Sequence, residues 1–218
     1  MATGSEELTE LGLRERKKLR TRETIVRVAL DLFTKQGFAE TTIRQIADAA
    51  EVAPRTVSAY FPVKEQLVFH DHEETLASLR TRLTERAPGE TAVDAMRGWI
   101  GEHLTASAFD VDAARCRRQL IESDPALRTY ERGHMAAVEQ IVAEAVAVDL
   151  QLPADDLIPH MVGAATVAAF DALGREMKQA PVHDADVFAH ARTLIDDAMT
   201  FVGGGVQALA ERQRAAGD

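Results

Sequence analysis

Residues 42–61 read TIRQIADAAEVAPRTVSAYF, and the parsing of this stretch decides the fold. Thr42 with Gln45 three residues later has the form of a capping box, which predicts a helix from Ile43 to Ala50. Glu51-Val52-Ala53 makes a short break, and Pro54 suits the first turn of a following helix, where its missing N–H costs nothing. Pro62 ends that second helix near Phe61. Ile46, Ala47 and Ala50 on the first helix, with Val57 and Phe61 on the second, are the inner positions, and the alanines let the two cross closely. This is a helix-turn-helix pattern, although a pair of this shape also occurs in ordinary helical bundles. In such a pair the first helix lies across a DNA backbone and the second enters the major groove. Arg55, Thr56, Ser58, Ala59 and Tyr60 then point outward. Arg55 can span the O6/N7 edge of a guanine, Thr56 can meet a base or a phosphate, and Ala59 offers a methyl to thymine. Thr42 and Arg44, at the start of the first helix, complete the candidate contacts on this pair.

Upstream, Ile25, Val28, Ala29, Leu32 and Phe33 recur at helical spacing within residues 22–36, and Gly37 supplies a C-terminal stop. Before them stand Arg14, Arg16, Lys17, Lys18, Arg20 and Arg22 against the single acid Glu15. Six cations in nine residues can follow a phosphate strand or enter a minor groove; a solvated, frayed terminus is the other reading. Lys64, near the start of a fourth helix, is a candidate phosphate anchor. The charge is divided. Residues 11–64 carry 11 basic and 6 acidic groups, whereas residues 65–218 carry 14 and 26, in a chain of net charge −10. A basic head on an acidic body is the asymmetry expected when one end meets a polyanion.

Leu32-Phe33, Gly37-Phe38, Thr41-Thr42, Ile46-Ala47, Ala50, Val52, Thr56-Val57, Tyr60-Phe61 and Lys64-Glu65-Gln66-Leu67 stand in the order and spacing of the tetracycline-repressor (TetR) family, which residues 20–69 resemble without a gap. The resemblance implies a nine-helix homodimer whose first three helices bind DNA. It also implies a C-terminal bundle that holds a small ligand and dimerises through its last two helices. Where the family often has a tyrosine two residues before its Tyr/His-Phe pair, this chain has Ser58, so the implied phosphate contact rests on Tyr60. Beyond residue 69, the spacing of Trp99 and of Arg118 to Ser123-Asp124-Pro125-Ala126-Leu127 is similar to actinobacterial members, including the mycofactocin-regulator type.

The remainder lacks strand alternation, and the expected class is all-α. A long fourth helix should open at Val63-Lys64-Glu65 and present Val68, His72, Leu76, Leu79 and Leu83 on one face. Further helices are expected near 91–108, 112–122, 125–149, 154–178 and 184–202, with Gly203-Gly204-Gly205 stopping or fraying the last. The expected organisation is an acidic disordered tail (1–13), a DNA-binding domain (14–66), a ligand-binding and dimerisation domain (67–204) and a polar tail (205–218).

Trp99, His103, Arg118, His134, Met135, Val138, Met161 and Phe170 are candidate ligand contacts, suited to a mostly apolar molecule with an acidic end. Plain core is the competing reading of those stripes. Ala165, Ala168, Ala169 and Ala172, with Phe188, Ala191, Leu194 and Ile195, are the expected dimer interface. His70-Asp71-His72-Glu73-Glu74 is a poor metal site, because residues two apart on a helix point about 200° from each other. No catalytic motif and no phosphate-binding glycine loop occurs, so no enzyme activity, cofactor or metal is expected. The lone Cys116 excludes an internal disulfide, and the longest charge-free runs, Leu157–Phe170 and Ala198–Ala210, are too short for a bilayer. The expectation is a cytoplasmic, ligand-responsive repressor that binds a palindromic operator as a homodimer. An activator or global DNA-binding protein without a pocket is the alternative.

Overall fold

A computed structural model describes residues 12–106, 111–179 and 186–217. Among these it contains nine α-helices and no strand: α1 (Leu13–Gln36), α2 (Ile43–Ala49), α3 (Pro54–Tyr60), α4 (His72–Thr84), α5 (Ala92–Ala106), α6 (Val111–Ser123), α7 (Pro125–Leu150), α8 (Leu157–Gln179) and α9 (Asp186–Gly217). A 3₁₀ turn, Lys64–Leu67, stands between α3 and α4. The class is all-α, as the spacing predicts.

Three differences from the sequence reading have local causes. First, α1 is one helix back to Leu13, so the basic run is helical and continuous with the stretch read at residues 22–36 rather than a frayed terminus before it. Second, the fourth helix does not open at Val63. Leu67, Val68 and Phe69 are all buried, and on an α-helix three consecutive side chains fan over about 200°. The chain instead tightens into the 3₁₀ turn before α4 begins at His72. Third, the triple glycine does not end α9. Met199, Val202 and Val206 are buried on either side of it, and a Cβ on Gly203 would stand 3.3 Å from Val93. Packing carries the helix through a locally unfavourable stretch.

The described chain forms two compact units. The first holds the residues up to His70 together with Cys116–Tyr130, the end of α6 and the start of α7. Its core joins Ile25, Ala29 and Phe33 of α1 to Ile46, Ala47 and Val57, then to Phe61 and Leu67–Phe69, and the α6–α7 corner adds Ile121 and Leu127. Phe33 tilts against Phe38 at 5.0 Å between ring centroids, and Phe69 stacks on Tyr130 at 5.1 Å. Asp124 fixes the corner by accepting the Ala126 N–H at 2.8 Å at the start of α7.

The second unit holds Asp71–Arg115 and the chain from Glu131 onward. Leu79 and Leu83 of α4, Val93 and Met96 of α5, Val142 and Val146 of α7, Val162 of α8 and Met199 and Val202 of α9 share its core. Gly163 lets α8 lie directly on α7, since a Cβ there would be 2.6 Å from the Glu139 carbonyl oxygen. Asp149 of α7 accepts the Ala92 N–H at 2.6 Å, which caps α5, and pairs with Arg86 at 2.5 Å. Arg82 and Glu90 form a second ion pair. That partner and the Ala87 N–H hold the Glu90 carboxyl at about 2, well below the usual carboxylate range.

Candidate nucleic-acid interface

The capping box is present. Thr42 Oγ1 accepts the Gln45 N–H at 3.2 Å, while Gln45 Oε1 accepts the Thr42 N–H at 2.8 Å. The turn that follows is a Schellman motif. Val52 N–H donates to the Ala47 carbonyl at 2.9 Å and Glu51 N–H to that of Asp48 at 3.3 Å, with Glu51 at φ +56°. A left-handed glutamate there had no sequence signal, because glycine is the usual occupant. The end of α7 repeats the motif, with Gln151 at φ +54° and Leu152 N–H donating to the Ala147 carbonyl at 2.9 Å.

Val57 of α3 and Phe61, the residue just past its end, are buried, and the helix turns Arg55, Ser58 and Ala59 to solvent. Thr56 and Tyr60 flank this face, each half-buried. No acidic residue occurs in Pro54–Tyr60. Arg44 is exposed on α2, with its guanidinium 4.0 Å from Asp48. Arg14, Lys17, Lys18 and Arg20 are exposed on α1, and Arg16 is half-buried. The surface is therefore a seven-residue, acid-free helix carrying Arg55, with a second group of cations on two turns of α1.

Two cations of the basic segment turn inward. Arg22 donates to the His70 carbonyl and lies over the Phe61 ring, 5.3 Å from its centroid. Lys64 Nζ donates to the carbonyls of Phe38 at 2.8 Å and Thr41 at 3.0 Å, with the Phe38 ring centroid 4.1 Å away. Lys64 thus ties down the turn that presents Thr42 and α2, where the sequence reading makes it a phosphate anchor.

Among the described side chains of the second unit, none of the candidate ligand residues lines the small void found there. Trp99 Nε1 donates to Ser78 Oγ at 3.0 Å, and Val138 and Phe170 pack half-buried on the second core. Met161 is 60% exposed, because α8 turns its neighbour Val162 inward. Met135 is half-buried, Arg118 belongs to the first compact unit, and the side chain of His103 lies outside the described residues. The His134 ring stacks on His72 at 3.5 Å between centroids; burial pushes its pKa down, and the Asp71 charge opposes part of that shift. Among the described residues no group of three or more His, Cys, Asp or Glu is placed to hold a metal ion. A small void does lie among α5, α7, α8 and α9, lined by Val93, Met96, Val142, Val146, Thr166 and Met199 among others.

Of the expected interface residues, Ala168 and Ala172 are exposed, and Ala165, Ala169, Leu194 and Ile195 are half-buried. The side chains of Phe188 and Ala191 lie outside the described residues. Three larger apolar groups on the same two helices stand outside that set and are exposed: Leu157 and Met161 on α8 and Phe201 on α9, at 71%, 60% and 75%. No helix among the described residues is long and apolar enough to cross a membrane.

Comparison with known proteins agrees with this geometry. Residues 25–70 match the family model for bacterial regulatory proteins of the tetR family, and residues 90–206 match that for the MftR C-terminal domain. The chain is 36% identical over 177 residues to the HTH-type transcriptional regulator TcmR of Streptomyces glaucescens, covering 75% of this chain and 74% of that protein. It is 27% identical over 147 residues to MftR of Mycobacterium tuberculosis, covering 67% and 74%. The solved SmeT–triclosan complex shares the fold at a TM-score of 0.62 and 17% identity, over 83% of this chain and 90% of that one. With a helix-turn-helix at its head and an MftR-type helical domain behind it, the chain belongs to the TetR family of transcriptional regulators and is not an enzyme.

Proposed function

We propose that the protein is a ligand-responsive repressor that binds a palindromic operator as a homodimer. One observation carries the reading: α3 buries Val57, with Phe61 buried just past its end, and turns the acid-free face of Arg55, Ser58 and Ala59 to solvent. On DNA that face enters the major groove, Arg55 reads a guanine, and Thr56, Tyr60 and Thr42 lie toward the flanking phosphates. Arg14, Arg16, Lys17, Lys18 and Arg20 on α1, with Arg44 on α2, supply sequence-independent attraction through counterion release. A seven-residue helix reads few base pairs. Two copies on a two-fold axis read two half-sites, and the exposed stripe of Leu157, Met161, Ala168 and Ala172 with Phe201 supports pairing through α8 and α9.

In this reading the free dimer holds its reading helices at the half-site spacing, and a ligand in the second unit favours another spacing. The chain passes from the first unit to the second at His70–Asp71, immediately before α4, and α6 and α7 each run from one unit into the other, so the change is transmitted through these covalent connections. Strong release requires the ligand to prefer one state by ~3–5 kcal/mol. The solved SmeT structure holds triclosan, which supports a small-molecule effector for this fold. Selection of bound sequences from a random duplex library tests the reading. A palindrome with half-sites one or more helical turns apart supports it, and failure of the folded protein to select any duplex at low salt ends it. Light scattering tests the pairing: a mass near 23.8 kDa refutes the dimer, and Phe201→Asp with Met161→Asp is expected to produce that mass.

A further inference from the structure

We infer that Arg22 is a positioning residue for operator recognition: its guanidinium ties the end of the reading helix α3 to the point where the chain leaves the first compact unit. This rests on the reading of α3 as the helix that enters the major groove, and it names the side chain that holds that helix to the junction. Arg22 lies over the Phe61 ring, 5.3 Å from its centroid, and donates to the His70 carbonyl. Phe61 is the residue just past α3, and His70 is the last residue of the first unit before Asp71 and α4. One side chain of α1 therefore holds both ends of the stretch from Phe61 to His70.

The reading helix needs such a tie. It has seven residues and no side-chain cap bond at Ala53, so its orientation is set by two buried anchors one turn apart, Val57 and Phe61. Arg22 covers a face of the second anchor. At the junction, Asp71 makes no side-chain cap bond to α4, so the usual local device does not fix where that helix opens. The carbonyl just before it is held from α1 instead. A guanidinium suits both tasks at once, because its plane lies on an aromatic face while its edge donates N–H groups. Half-buried and turned to these two partners, Arg22 serves DNA binding through orientation and not through counterion release. With the tie cut, only a fraction of molecules presents α3 in the orientation that fits, and apparent operator affinity falls by that fraction. Binding to an unrelated duplex draws on the exposed cations of α1 and on Arg44, and needs no such orientation.

The test uses the full-length protein and the duplex selected from the random library, read below the melting point of the least stable variant. Arg22→Met keeps the apolar stem and removes the guanidinium, while Phe61→Leu removes the ring. In the wild type the Arg22 side-chain N–H resonance, identified by its absence from Arg22→Met, should lie upfield through the ring current of Phe61 and lose that shift in Phe61→Leu. Arg22→Met should weaken operator binding roughly 10-fold, the value of one hydrogen bond to a charged group. Affinity for an unrelated duplex should stay within about 2-fold, and the slope of log K against log [salt] within about 0.3 of wild type. Both substitutions cut the same tie, so the double variant should bind the operator within about 2-fold of the weaker single variant. A slope reduced by ~0.9 for each protomer makes Arg22 a phosphate contact and overturns the proposal. Wild-type operator affinity in Arg22→Met overturns it too, leaving the side chain a role in stability alone. So do losses that add in the double variant, or an N–H resonance that ignores Phe61→Leu. If the folded wild type selects no duplex, the reading of α3 falls and the proposal with it; a ring-current shift still present then locates the failure in that reading and not in the tie.

Discussion

Replacing Lys64 with methionine separates two roles for one cation. The substitution keeps the apolar stem and removes the ammonium that holds the Phe38 and Thr41 carbonyls at 2.8 and 3.0 Å over the Phe38 ring. A hydrogen bond to a charged group contributes ~1.5–3 kcal/mol, and a partly exposed cation–π contact ~0.5–1 kcal/mol. The two bonds share one donor, and half-buried carbonyls recover water when it leaves, so a total loss of about 2–3 kcal/mol is expected. At roughly 2–4 °C per kcal/mol for a chain of this size, the melting temperature should fall by about 4–12 °C. The companion assay is operator affinity against salt concentration, read below the variant's melting point. An internal clamp leaves the slope of log K against log [salt] within about 0.3 of wild type, whereas loss of a phosphate contact reduces it by ~0.9 for each protomer. Unchanged stability with a reduced slope refutes the clamp. A fall in both places the third ammonium proton on the duplex.

Arg55→Ala should cost ~1–3 kcal/mol of operator affinity and relax the preference at one base position; an unchanged selected sequence would show that another residue reads that base. Glu51→Gly and Gln151→Gly should each stabilise the protein in urea by about 0.5–1 kcal/mol, since the left-handed strain removed exceeds the added chain entropy. Lower midpoints for both would contradict the positive φ angles. Glu90 titrates near 2 when folded against an ordinary value of 4.5, so its ion pair with Arg82 stabilises fully above pH 4.5 and is lost as pH falls toward 2. Glu90→Gln should therefore flatten the acid-unfolding curve between those limits, followed by circular dichroism. An acid limb identical to wild type would mean that the pair has no bearing on folding.

Much of the fold is legible because helical spacing and punctuation agree. Thr42 with Gln45 and Pro54 mark the starts of two helices that form as read, and Gly37 follows the last residue of α1. The reading fails where local propensity opposes packing. Three glycines inside a helix cost ~3 kcal/mol relative to alanine. Burying Val202 and Val206 returns ~1.5–3 kcal/mol each, with Leu209 and Ala210 packed on the same core beyond them. The helix therefore continues, and no window short enough to contain only the glycines shows it. The ligand face fails for a different reason. On α8 adjacent stripes are both apolar, so spacing cannot say whether Met161 or Val162 turns inward, and a rotation of about 100° exchanges them.

The cationic segment shows the same ambiguity, and here part of the answer was available. Arg22 stands three, four, seven and eleven residues before Ile25, Val26, Ala29 and Phe33, which puts it on the buried stripe of α1. A cation on the apolar stripe one turn before the core begins reaches back over that core, and Arg22 does so, onto the Phe61 ring and the His70 carbonyl. Arg20 and Lys17 lie off that stripe and stay exposed. Counting all six charges of the run as phosphate ligands therefore overstates the salt dependence by at least the one turned inward. For Lys64 the helical criterion offers nothing, because the residue opens a 3₁₀ turn and its acceptors are 26 and 23 residues earlier in the chain. Which cations face the duplex is decided by where buried carbonyls need donors, and those carbonyls become visible only once the chain has folded.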